Sequence, residues 1–188
     1  MNALQWPTIR KAKRVVGKTL TFRDANVTDA AFILSLQTDG KKSRYLSAVS
    51  ADLSAQEAWL KDYEKTQNQA YFIIEYENES IGTVRLYDAQ KDSFCWGSWI
   101  LKDGRPSQAA MESALMVYSY AVDHLDFKAS HFDVRKGNYR VTAFHSRFGA
   151  RCISETDLDF FYSTDLSSIQ ASRASYLKYL PNAVTITA

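Results

Sequence analysis

The chain has 188 residues, 46% hydrophobic and 23% charged, with 4 Trp, 11 Tyr and 10 Phe; at roughly 150 residues per domain this is one domain with enough apolar mass for a core. Only 7 Gly and 3 Pro are present, which excludes collagen-like and low-complexity classes. Lys and Arg total 23 against 21 acids, a net charge of +2, too small for the concentrated basic face that nucleic-acid binding needs.

Residues 1–18 carry Arg10, Lys11, Lys13, Arg14 and Lys18 and no acid. They read as a basic N-terminal extension: a solvated lead-in, or an arm that touches an anionic substrate or a second subunit. Residues 19–23 alternate as a short strand. Thr28 or Asp29 is placed to cap a helix through Ala30, Ile33, Leu34 and Leu36. Residues 37–50 read as a loop, and Ser54 to Glu57 as a capping box ahead of a helix through Trp59, Leu60 and Tyr63. Residues 71–79, 80–88 and 93–101 form three strands with short turns, an antiparallel meander.

Residues 102–108 form a loop. Met111, Leu115, Tyr118, Val122 and Leu125 then recur at helical spacing over 109–125. A strand over 128–135 and a helix over 139–148, stopped by Gly149, follow. Residues 151–165 read as strand, turn, strand. Residues 166–180 read as a terminal helix with Ile169, Tyr176, Leu177 and Leu180 on its apolar side. No apolar run approaches the roughly 18 residues of a membrane span, and no signal peptide precedes the domain. Cys95 and Cys152 lack disulfide or metal spacing. The reading is a cytoplasmic α/β protein with no metal, no membrane and no nucleic-acid partner. Its domain spans 19–165, with a C-terminal helix and tail over 166–188.

The unit formed by 93–101, 102–108 and 109–125 is where chemistry concentrates. A helix N-terminus leaves its first amides unpaired and carries partial positive charge, so it suits an anion. Lys102 and Arg105 add charge-assisted donors, while Ala109 and Ala110 admit a ligand close to the backbone.

Residues 105–113, Arg-Pro-Ser-Gln-Ala-Ala-Met-Glu-Ser, fall where one family has Arg-Gly-x-Gly-x-Ala-x-Glu-Ala. Residues 134–150 are similar to that family's Val-x-x-x-Asn-x-x-Ala-x-x-x-Tyr-x-x-x-Gly-Phe, with Asn138 and Gly149 on its Asn and Gly. Together with Gly82-Thr83-Val84, these stretches resemble the GCN5-related N-acetyltransferase (GNAT) superfamily. The likeness runs from about Thr19 to Tyr162 and is nearest the branch that acetylates ribosomal-protein N-termini. Pro106 and Gln108 replace two family glycines, which alters the phosphate cradle.

The resemblance implies a mostly antiparallel twisted sheet of about six to seven strands, helices on both faces, and a fourth and fifth strand that splay. It implies acetyl-CoA as acyl donor, held by Trp99, Ile100, Leu101, Lys102, Arg105, Ser107, Gln108, Ala109, Ala110, Asn138, Arg140 and Phe144. Ser98 and Trp99 fall where the strands part; by alternation Trp96 turns away from the face of Cys95, and Trp99 from that of Ser98. The implied reaction is direct attack of a primary amine on the thioester.

His145 stands at the family's proton-donating Tyr. An ordinary imidazole, near 6.5, suits either proton role; the alternative is packing between Phe144 and Phe148. His131 and Asp133 share a strand face, as a proton relay or as a solvated surface, and Glu75 and Asp88 are further carboxylates on the meander. The expected acceptor is a small amine such as a nucleotide-linked amino sugar. Lys41, Lys42, Arg44 and Tyr45 suit phosphate and base, and the altered loop with Phe144-His145 resembles acetyltransferases of bacterial surface-sugar pathways. The alternatives are a protein N-terminus and a non-catalytic acyl-CoA-binding module. A homodimer is compatible with the reading.

Overall fold

A computed structural model describes residues 5–40, 45 and 51–187. Lys41, Lys42 and Arg44, expected to meet phosphate, lie outside the described residues. The elements in chain order are β1 (Arg14–Val16), β2 (Leu20–Asp24), α1 (Ala30–Gln37), α2 (Leu53–Lys65), β3 (Ala70–Tyr76), β4 (Glu79–Gln90), β5 (Ser93–Leu101), α3 (Ala109–Ser119), β6 (Ala129–Arg135), α4 (Tyr139–Arg147), β7 (Arg151–Glu155), β8 (Asp159–Asp165), α5 (Leu166–Ser175) and β9 (Thr185–Thr187). The strands form one nine-stranded sheet in the order β7-β8-β6-β5-β4-β3-β2-β1-β9. Every pairing is antiparallel except β5 with β6.

The sheet has two more strands than the seven at the upper end of the expectation. They are β1 and β9, which pair with each other at the edge, Val15 opposite Ile186. Each is three residues long, too short to show a period of two, and their pairing joins the two ends of the chain. Residues 5–18 are therefore not a solvated lead-in: Ile9, Ala12 and Val15 are buried in the core. Four of their five cations bond within the protein. Arg10 donates to the His124 carbonyl, Lys11 to that of Tyr63 and Lys18 to that of Lys178, and Arg14 pairs with Glu75.

Helix starts also differ from expectation. Asp29 is the N-cap position of α1 but gives it no side-chain bond; Asn26 caps the 3-10 turn that leads into α1, its side chain accepting from the Thr28 N–H while Asp29 reaches back to the Asn26 N–H. Asp52, two residues ahead of Ser54, caps α2. Short polar side chains crowd both starts, and the local pattern does not say which one takes the extended backbone of a cap. The helix of 109–125 ends as a π-helical turn over Tyr120–His124. Leu177 lies beyond α5 and is exposed.

The sheet separates two apolar clusters. On one face Phe22, Phe72, Val84, Leu86, Phe94 and Phe132 pack with Leu115 and Val117 of α3, Phe148 beside α4 and Ile169 of α5. On the other, Tyr71 and Ile73 pack with Ile33 of α1 and Leu60 and Tyr63 of α2. The alternation of Tyr71, Phe72 and Ile73 along β3 assigns the faces. Among the described residues no helix is long and apolar enough to cross a membrane.

Gly149 stops α4 at φ +77°, and a Cβ there would lie 2.8 Å from Ser168 Cβ. Left-handed backbone and overlap add, so Gly149→Ala is expected to cost about 2 kcal/mol. A thermal melt should then fall by roughly 4 to 8 °C; an unchanged midpoint would contradict this.

Candidate active site

The site begins with a bulge in β5. Gly97 pairs with Arg85 and Ile100 with Thr83, so Ser98 and Trp99 together oppose Val84. Ser98 takes φ +46°, and its carbonyl accepts from Thr83 Oγ1 at 2.8 Å. An extra residue reverses alternation beyond it. Trp96 and Trp99, which an unbroken strand would set on opposite faces, come together with ring centroids 5.4 Å apart.

The parallel pairing of β5 and β6 covers only three rungs, Ser93 with Ala129, Phe94 with Ser130 and Cys95 with His131. Beyond Cys95 the strands part, as the resemblance implied. Against the fork packs His145 of α4. Its ring centroid lies 4.1 Å from that of Phe132 on β6 and 5.1 Å from that of Trp96 on β5. Phe144 lies 4.9 Å from Trp99, whose Nε1 donates to Ser113 Oγ on α3. An aromatic floor thus joins β5, α3 and α4 beneath the fork.

His145 is 5% exposed, and its Nδ1 is buried without a hydrogen-bond partner. Burial among apolar rings disfavours the charged form and pushes its pKa down to about 4. This corrects the expectation of an ordinary imidazole: the ring is neutral at physiological pH.

His131 is not paired with Asp133. Its Nδ1 lies 2.7 Å from Ser93 Oγ and its Nε2 3.2 Å from Asp88 Oδ2, while Asp133 is exposed one step further along β6. Side chains two apart share a face but are nearly 7 Å apart along a strand; residues on β4 and β5 are nearer. His131 and Asp133 also lie on the opposite sheet face from Phe132 and the His145 ring, so the three catalytic candidates do not form one cluster. Glu75 is neither a solvated carboxylate nor a free base, being held between Arg14 and Arg23. Cys95 is buried, which pushes its thiol up to about 11 and makes it a poor nucleophile.

The residues expected to hold acyl-CoA fall into two groups joined by the Trp99–Phe144 contact. Ile100 and Leu101 lie on the part of β5 beyond the fork, and Lys102 pairs with Glu79 at 3.6 Å. Arg105 Nη1 donates to the Lys102 carbonyl. Gln108 is the N-cap of α3 and gives no side-chain cap, so the amides of the first turn keep their anion-binding character. Gln108 has φ −78° and ψ −14°, which needs no glycine. Pro106 stands before the helix and accepts from the Ala109 N–H. The loop's left-handed residue is Gly104. Pro106 offers no N–H and takes that of Ala109, so the first-turn amides left for an anion are those of Ala110 and Met111, with Arg105 and Lys102 in the loop beside them. Ala109 is buried, Ala110 partly so and Ser107 exposed. In the second group, Asn138 caps α4 by accepting from Val141 N at 3.4 Å, and Arg140 is exposed in the first turn.

Glu112 is a residue that the pattern reading missed. It is 0% exposed and accepts from Thr19 N, Thr19 Oγ1 and Leu20 N at 2.6, 2.6 and 2.9 Å. The visible signal was one acid among the apolar residues of 109–119. Beside it, a cleft of about 390 Å³ is lined by Lys18, Thr19, Gln108, Glu112, Lys178 and Tyr179. Tyr45 lies next to Gly137 at the start of α4.

Comparison with known proteins agrees with this geometry. The model of the acetyltransferase (GNAT) domain matches residues 19–151. The apo structure of FdhC, described as a nucleotide-linked sugar GNAT, is 38% identical with a TM-score of 0.80, over 89% of this chain and 98% of its own. A GCN5-related N-acetyltransferase from Brucella melitensis shares the fold at 16% identity and a TM-score of 0.73, over 90% of this chain and 88% of its own. The spermidine/spermine N-acetyltransferase SpeG from Vibrio cholerae, in mutant forms, does so at 14% and 0.68, over 81% and 97%. None of the curated proteins compared matches the chain in sequence. A forked sheet, an uncapped helix start beside it and a family model that runs from β2 to β7 have one common explanation: this chain belongs to the GNAT acetyltransferase family.

Proposed function

We infer that this protein moves an acetyl group from acetyl-CoA to the primary amine of a small molecule, an amino sugar carried on a nucleotide. GNAT domains use acetyl-CoA. The observation that carries the acceptor is the 38% identity to a nucleotide-linked sugar GNAT over 89% of the chain.

The first-turn amides of α3, with Arg105 and Lys102, would hold the diphosphate of the coenzyme. The edge of β5 from Trp99 to Leu101 would receive its amide-bearing arm as an added strand, and Asn138, Arg140 and Phe144 would flank it from α4. Bound there, the thioester supplies the acetyl group. An amine attacks only when neutral, so its proton must go to the chain or to water. Asp133, exposed beyond the last paired rung, and His131, shared between Asp88 and Ser93, are the acceptors on that face. From the other face, the neutral His145 cannot give a proton to sulfur without leaving an imidazolate; with Nδ1 enclosed, its Nε2–H would donate a hydrogen bond to the departing thiolate, which takes the proton released by the amine through water. The remaining acceleration comes from holding the two reactants together.

Incubation with labelled acetyl-CoA should move label to nucleotide-linked amino sugars and not to peptides with a free N-terminus. Label on peptide alone would overturn the acceptor, and acetyl-CoA binding without turnover on any amine would overturn the enzyme.

A further inference from the structure

Among the described residues, Arg85 is a cation that pairs with no carboxylate. Arg14, Arg23, Arg135, Arg151 and Arg173 each meet an acid within 3.1 Å. Arg85 meets none among the described residues, though it is partly buried in the middle of β4. Instead its guanidinium lies between two rings, 5.1 Å from the centroid of Trp59 on α2 and 4.9 Å from that of Tyr87. Its Nε and Nη2 both donate to Gln69 Oε1, and Nη1 has no partner among the described residues. A guanidinium stacked on aromatic faces and held along one edge is pre-organised, with its remaining edge suited to an oxyanion.

Its position matters as much as its pairing. Arg85 is opposite Gly97, two residues past the last rung that joins β5 to β6. It lies on the face that carries Tyr87, His131 and Asp133, where the proton acceptors are. Gly97 adds no side chain there, and a Cβ would meet the Tyr87 hydroxyl at 3.0 Å. Next to Gln69, Asn68 lines a cleft of about 440 Å³ with Trp6, Pro7, Asp88 and Lys91. That cleft begins about 10 Å along β4 from Arg85, three residues at the usual rise. It gives a half-exposed indole and a lysine to whatever extends beyond the anion.

We propose that Arg85, clamped by Trp59, Tyr87 and Gln69, is the anion-binding residue of the acceptor site, taking a diphosphate oxygen of the acceptor while the adjoining Trp6–Asn68 cleft receives its nucleoside. This rests on the acceptor reading above and names the contact that would enforce it. An amino sugar without its nucleotide would lose the anchor; one with it is held with the sugar toward the fork.

Two variants and two readouts test it. Arg85→Gln removes the charge and the fork, while Arg85→Lys keeps the charge alone. With a nucleotide-linked amino sugar, R85Q should raise the acceptor KM by about 10- to 100-fold and R85K by less, with the acetyl-CoA KM unchanged. Calorimetry of thymidine diphosphate and uridine diphosphate on coenzyme A-saturated protein should give binding to wild type that R85Q loses. If wild type uses the nucleotide-linked acceptor and both variants keep its KM, Arg85 only packs and the proposal falls while the function stands. If wild type acetylates no such acceptor, the function fails, and calorimetry alone decides Arg85: binding lost in R85Q upholds an oxyanion site there, and equal binding, or none by wild type, overturns it.

Discussion

His145→Phe is expected to slow turnover by about 10²- to 10⁴-fold while leaving acetyl-CoA affinity nearly unchanged and the fold no less stable. Phenylalanine fills the space of the imidazole against Phe132 and Trp96. It also removes Nδ1, a buried atom without a partner, whose burial costs roughly 1 to 3 kcal/mol. A merely structural histidine would give a more stable enzyme of equal activity, and that result would remove His145 from the mechanism. His145→Ala should lose the same turnover but also open a cavity and lower the melting point.

The same residue sets a pH dependence of stability. Its folded pKa, about 4, lies below the unfolded value near 6.5. Between these values the unfolded chain binds a proton that the folded chain refuses. Stability therefore falls as pH drops from about 6.5 to about 4, by about 3 kcal/mol from this group, and the contribution is complete below about 4. Melting of wild type and His145→Phe at pH 7.5, 6, 5 and 4 should give a gap that widens toward acid; parallel curves would contradict the buried neutral ring.

Glu112→Ala is the largest stability effect expected. The carboxylate accepts three hydrogen bonds that tie the start of β2 to the first turn of α3. Alanine leaves the Thr19 and Leu20 amides facing α3 without an acceptor. Losing a buried, fully bonded charge costs about 4 kcal/mol, or roughly 8 to 16 °C in a protein of this size. Glu112→Gln keeps one accepting oxygen and should fall by less. Because this turn begins the proposed diphosphate site, Glu112→Ala should also weaken coenzyme A binding; a melting point within two or three degrees of wild type would show that β2 does not hang on this contact.

Local signals were enough for most elements. Residues 93–101 form a strand with the bounds that pattern and turns implied, and the helix at 109 and the stop at Gly149 fall where spacing and glycine placed them. Asn138 and Gly149 both act on backbone a few residues away: one caps α4, the other ends it.

What the chain alone decided, then, is what neighbours in sequence can enforce: periodicity, turns, the glycine stop of α4 and a family pattern. What only the tertiary structure decided depends on residues far apart. The bulge at Ser98 needs the register of β4 to be seen, and it alone brings Trp96 to Trp99. His131 reaches across β5 to Asp88 on β4 and diagonally to Ser93 rather than to Asp133, a choice that depends on the order and register of three strands. His145 lost its ordinary basicity to rings from β5, β6 and α4, and the basic N-terminal stretch was drawn into the sheet by β9 at the other end of the chain. Desolvation and pairing are properties of the neighbourhood a residue reaches after folding, and a linear pattern holds no record of that neighbourhood.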